Sequence, residues 1–94
     1  MTEDTLACRW LISGRVQGVG FRWYTVRRAG ECGVVGWVRN LPDGRVEAVA
    51  KGGADEVAAF HAALTQGPSL SRVENVDKVN IPHETVDAKS FMLK

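Results

Sequence analysis

Apolar and polar positions alternate first over residues 6–13, where Cys8, Trp10 and Ile12 fall on one side and Arg9, Leu11 and Ser13 on the other. A period of two predicts a strand with one buried face. A glycine-rich stretch follows. Phe21, Thr25, Ala29 and Cys32 then recur at near-helical spacing, with Arg27 and Arg28 on the polar side. Gly30 weakens this helix by roughly 1 kcal/mol relative to alanine, and Gly33 suits its C-terminal cap. Residues 34–40 read as a second strand, and Leu41-Pro42-Asp43-Gly44 as a turn. Arg45 to Lys51 alternates again and closes a hairpin, which Gly52-Gly53 is expected to break. Asp55 and Glu56 suit the first turn of a second helix, whose buried stripe is Val57, Phe60 and Leu64, and Gly67-Pro68 ends it. From Arg72 to Pro82 the apolar residues Val73, Val76, Val79 and Ile81 change parity, which predicts a long strand with a bulge or bend. Ser90 to Lys94 reads as a short last strand.

This order predicts an α+β fold: a ferredoxin-like βαββαβ sandwich. Two helices should cover one face of a mostly antiparallel sheet, with a short extra C-terminal strand. Residues 1–94 form one expected domain.

Composition narrows the function classes. The chain is 45% apolar, with no run near the ~20 residues a membrane helix needs. Met-Thr-Glu-Asp-Thr at the start is polar and acidic, unlike a secretory signal, so the expected location is cytoplasmic. Residues 1–47 carry seven basic and five acidic side chains and residues 48–94 five and six. That balance lacks the basic bias of a nucleic-acid face. Cys8 and Cys32 form no metal-binding pattern, and reduced, buried thiols are the expectation. The strand from Cys8 climbs about 20 Å and the helix to Cys32 descends about 16 Å. Both cysteines should thus lie at one end of the molecule, where a disulfide between them is sterically conceivable.

The candidate chemistry lies in Gly14-Arg15-Val16-Gln17-Gly18-Val19-Gly20-Phe21-Arg22. A glycine-rich turn feeding a helix N-terminus gathers main-chain N–H donors and the positive end of the helix dipole, a ready anion site. Arg22 in the first helical turn is unfavourable by roughly 0.3–1 kcal/mol, and a bound anion would remove that penalty. The second strand must run antiparallel to the first helix, which returns Asn40 to the edge where Arg22 lies.

The nine-residue stretch, followed by Gly36-Trp37-Val38-Arg39-Asn40 and Asp43-Gly44-Arg45-Val46-Glu47, closely resembles the acylphosphatase family. The likeness runs on through Gly67-Pro68 and Val73 to the Phe91 segment. It implies metal-independent hydrolysis of a small acyl phosphate, with no cofactor. It also implies that Arg22 and the main-chain N–H groups of Arg15, Val16, Gln17, Gly18, Val19 and Gly20 hold the phosphate, and that Asn40 positions the attacking water. A disulfide carried by some bacterial relatives would fall at Leu6 and Lys51 here, so it cannot form.

The remaining residues fit that chemistry. A carboxylate leaving group has a conjugate-acid pKa near ~4 and departs without a proton, so the lack of a Ser/His/Asp set or of paired carboxylates is expected. His61 and His83 are not expected to act. Arg15 and Gln17 either touch ligand or are solvated loop side chains. Trp10 and Trp37 are expected in core or sheet packing, and one of Trp23 and Tyr24 exposed or at the site's rim. A free-standing monomer with no nucleic-acid or membrane partner is the expectation.

Overall fold

The computed structural model describes residues 5–94. Strand β1 (Thr5–Arg15) leads to helix α1 (Phe21–Cys32), then β2 (Val35–Asn40) and β3 (Val46–Gly53). Helix α2 (Ala54–Gln66), β4 (Arg72–Ile81), a 3-10 turn (His83–Thr85) and β5 (Phe91–Leu93) complete the order. The sheet runs β4-β1-β3-β2-β5, with β5 parallel to β2 and every other pair antiparallel. This is the ferredoxin-like α+β arrangement that the alternating periodicities predict, with the extra strand on the β2 edge.

The period-two readings hold where one face is buried. Cys8, Trp10 and Ile12 of β1 and Val46, Ala48 and Ala50 of β3 enter the main core with Phe21 and Ala29 of α1 and Val57, Phe60 and Leu64 of α2. Phe60 is the hub: Trp10 meets it edge-on at 5.2 Å and Phe91 at 5.5 Å between ring centroids. Trp10 also needs a partner for its buried indole N–H, and donates it to Nδ1 of His61 at 3.0 Å. Thr25 is buried at an inward helix position because its hydroxyl donates back to the Phe21 carbonyl at 2.8 Å.

The parity changes of β4 have two different causes. Ser13 pairs with Asn75 but Gly14 with Val73, so Glu74 is the extra residue of a bulge. Gly14 is required there: a Cβ would lie 2.1 Å from the Arg72 carbonyl oxygen. Further along, Val76 packs toward the helices, whereas Ile81 packs on the opposite face against a second cluster of Ala7, Val49 and Val86. The segment after β4 thus covers one end of the helix-free face and buries Val86, whose carbonyl accepts a hydrogen bond from Lys51 Nζ at 2.8 Å. Local sequence carried no sign of that cover.

Gly52 and Gly53 do not break β3. They pair with Leu6 and Thr5, because β1 also begins earlier than the alternation of its apolar residues indicates. The strand ends where Gly53 gives its N–H to the Glu56 carboxylate at 2.8 Å, which caps α2. Both cysteines are free thiols, Cys8 buried and Cys32 only half-buried. Burial pushes both thiols up.

One charge lies buried on the helix-free face. Glu47 is 3% exposed and sits between Arg9 of β1 and Arg39 of β2, at 2.5 and 2.6 Å. Burial alone would raise its pKa, but the hydrogen bonds and charges of the two guanidinium groups outweigh it and hold the carboxyl below its ordinary 4.5. The folded state thus favours the ionised form. Its contribution is complete above pH 4.5 and fades as pH falls through the lower folded value. Glu47→Gln is expected to lose about 1–3 kcal/mol at pH 7. In urea denaturation the gap to the unmodified protein should shrink steadily below about pH 4, and a gap independent of pH would refute this account.

Candidate active site

The loop between β1 and α1 is anchored from below and open above. Val16 is 1% exposed and Val19 packs against the same core, so apolar side chains point down. Gly18 and Gly20 have φ of 74° and 78°, in the left-handed region that glycine enters without penalty. Gly20 starts α1 and offers no side-chain cap. The helix ladder begins with Tyr24 N–H on the Gly20 carbonyl at 3.0 Å. The N–H groups of Phe21, Arg22 and Trp23 therefore have no partner within the helix.

The two helices handle this problem differently. Helix α2 places Asp55 and Glu56 in its first turn, and Glu56 caps Gly53. Helix α1 has no acid in its first turn and carries Arg22 there instead. Uncapped donors, the positive dipole end and a guanidinium together make a site that only an anion completes.

A cleft of about 100 Å³ opens at this point, lined by Val16, Gly18, Gly20, Phe21, Arg22, Trp23 and Asn40. Its volume is roughly that of three waters in the liquid, suited to a phosphoryl-sized group. Arg22 and Asn40 meet here, as the antiparallel return of β2 predicts. The Arg22 guanidinium is oriented by donating Nη1–H to the main-chain oxygen of Lys94 at 3.0 Å. Lys94 is itself held by its N–H on the Val38 carbonyl at 2.8 Å and by its Nζ, 4.5 Å from the centre of the Trp37 ring. Trp37 is thus half-buried on the sheet, with Arg39 over it at 5.3 Å.

Not every residue of the glycine stretch faces the cleft. Arg15 ends β1 opposite Arg72 with its side chain exposed, and Val19 is turned to the core. Gln17 has a role that its solvated or ligand-touching alternatives missed. Its side-chain amide donates to the carbonyls of Leu41 at 2.8 Å and Arg45 at 3.0 Å. Those two residues close the β2–β3 hairpin, since Leu41 N–H also bonds Arg45 O at 2.8 Å. Gln17 therefore ties the glycine loop to the turn that follows Asn40. Its acceptors lie 24 and 28 residues away, so no local signal in the sequence pointed to it.

Arg22 is the only ionisable residue among those lining the cleft. His61 is engaged with Trp10, and His83 lies in the 3-10 turn. Of the aromatic pair at the start of α1, Trp23 is 71% exposed, while Tyr24 is half-buried with its hydroxyl on the Ala63 carbonyl at 2.8 Å.

Comparison with known proteins agrees with this architecture. The acylphosphatase family model matches residues 8–92. The chain belongs to the acylphosphatase family. It is 45% identical over 94 residues to an acylphosphatase of Koribacter versatilis, covering all of this chain and 84% of the relative. Among solved structures it is similar to an acylphosphatase from Coxiella burnetii. That match has a TM-score of 0.89 at 35% identity and covers 97% of this chain and 94% of the other. The Bacillus subtilis acylphosphatase gives a TM-score of 0.88 at 32% identity, with 95% and 98% covered.

Gln17→Ala should remove both hydrogen bonds from the loop to the hairpin. The expected result is a stability loss of about 1–2 kcal/mol and a fall in kcat of about 10–100-fold, from misplacement of the groups that the hairpin carries. Urea denaturation and steady-state kinetics on benzoyl phosphate measure the two effects. Unaltered kcat in a destabilised variant would limit Gln17 to a structural role.

Proposed function

We propose that this acylphosphatase hydrolyses the carboxyl-phosphate bond of small acyl phosphates by direct attack of water. In this reading the phosphate lies in the cleft. Main-chain N–H groups of the glycine loop and of the first turn of α1 hold its oxygens, and the Arg22 guanidinium spans them with its planar fork. Arg15, Val16, Gln17 and Val19 contribute through the main chain, since their side chains point elsewhere. The site needs little more, because phosphoryl transfer is largely positioning and charge stabilisation. Asn40 orients a water toward phosphorus by hydrogen bonding. An amide cannot take the proton at neutral pH, so it passes to a phosphate oxygen or to solvent. The water oxygen bonds to phosphorus as the bond from phosphorus to the acyl oxygen breaks. Carboxylate and inorganic phosphate leave.

The observation that carries this reading is the meeting of Arg22 and Asn40 in one phosphoryl-sized cleft at an uncapped helix N-terminus. A phosphate-binding module would need the arginine but not the amide. The same reading takes the domain as a monomer acting on small molecules in the cytoplasm, a setting that two free thiols suit. No helix among the described residues is long and apolar enough to cross a membrane.

Arg22→Ala and Asn40→Ala should each reduce hydrolysis of benzoyl phosphate to background while leaving the fold intact. They should differ in one respect: Arg22→Ala loses competitive inhibition by inorganic phosphate, whereas Asn40→Ala keeps it. Near-normal turnover by either variant in a hydrolysis assay would contradict the assignment.

A further inference from the structure

A second depression of about 410 Å³ adjoins the cleft, lined by Gly20, Trp23, Tyr24, Arg27 and Pro68. Gly20 and Trp23 line both, so the two are neighbours on the surface. We propose that this groove receives the acyl group of the substrate. Trp23 would provide the contact surface, and Arg27 would favour an acyl group that carries a second negative charge. The inference rests on the reading that the phosphate occupies the glycine-loop cleft.

The first cleft is small, about 100 Å³, and opens to the surface, so the acyl part of a benzoyl-sized substrate extends beyond it. In-line displacement sets the direction, because the attacking and leaving oxygens stand on opposite sides of phosphorus. Asn40 at the end of β2 holds the water, and Arg22 is drawn to the same side by Lys94, which is bound to Val38 of β2. The leaving carboxylate therefore points away from β2. Successive helix residues are 100° apart, so Trp23, Tyr24 and Arg27 cluster on a face of α1 turned from Arg22. The groove on that face contains no β2 residue.

Its walls suit an acyl group. Trp23, at 71% exposed, presents a large apolar ring at the mouth of a polar cleft. Tyr24 is fixed by its hydrogen bond to Ala63 and by edge contact with Phe21 at 6.0 Å, so one wall is rigid. Arg27 lies over the Tyr24 ring at 5.9 Å and takes part in none of the ion pairs among the described residues. Its neighbour Arg28 pairs with Glu31 instead, at 3.4 Å. A cation with no internal partner beside an open aromatic wall fits a planar or extended acyl group ending in an anion.

The test compares kcat/KM on acetyl, benzoyl and 4-carboxybenzoyl phosphate for the unmodified protein, Trp23→Ala and Arg27→Gln. Both side chains are exposed, so both variants should fold. In Trp23→Ala the benzoyl-to-acetyl ratio should drop about 3–10-fold, the scale of one aromatic contact. In Arg27→Gln the carboxybenzoyl-to-benzoyl ratio should drop about 2–5-fold, the scale of an exposed ion pair, and lose its dependence on salt. Ratios unmoved by both substitutions would overturn the acyl groove while leaving hydrolysis at the cleft standing. Failure of the unmodified protein to turn over any of the three would overturn the reading beneath it as well.

Discussion

Two hydrogen bonds from one amide keep the glycine loop and the β2–β3 hairpin in a common frame. Gln17 reaches the carbonyls of Leu41 and Arg45, and so joins a loop at the end of β1 to the turn that follows Asn40. Other links between the two halves run through the sheet, by way of β3 between β1 and β2, and through Arg22 to Lys94 and Val38. Reactive geometry tolerates little drift: a displacement near 1 Å can reduce rates about 100-fold. The buried side chains of Val16 and Val19 set the height of the loop, and Gln17 sets its lateral position.

Charge is arranged in two separate ways on the two faces of the sheet. On the helix-free face the buried Glu47 carboxylate is matched by two guanidinium groups, Arg9 and Arg39, both partly exposed. At the start of α1 positive potential is concentrated instead: among the described residues no acidic side chain lies in the first turn of α1 or lines the cleft beside Arg22. Arg22 is oriented there by giving one N–H to the main-chain oxygen of Lys94. In the proposed reaction the leaving group departs as a stable carboxylate, so the cleft needs no acid to protonate it. Arg27 extends the positive potential along α1, beside the depression that Gly20 and Trp23 also line.

How much could be read in advance depended on the range of the interaction. Trp10, Phe21, Phe60 and Leu64 announced their burial through periods of two and 3.6, because those periods are local geometry. The meeting of Arg22 with Asn40 was legible too, since a strand that follows a helix antiparallel must return its end to the starting edge. Gly52 and Gly53 misled because glycine weakens an isolated strand, whereas here Thr5 and Leu6 supply the missing pairing partners. Val86 gave no signal: one apolar residue between polar neighbours has no period, and its burial depends on where β4 ends.

By itself the sequence determined the order and faces of most elements and the family. Each rests on neighbours within about a dozen residues or on motifs at fixed spacing. Only the tertiary structure decided what holds the site in place. Gln17 is 24 and 28 residues from its two acceptors, and Arg22 is 72 residues from Lys94. It also decided that Trp23 and Arg27 stand open beside the cleft while Tyr24 is tied to α2. Such contacts depend on where distant carbonyls and grooves come to lie after the sheet has assembled, and no local pattern of residues encodes that.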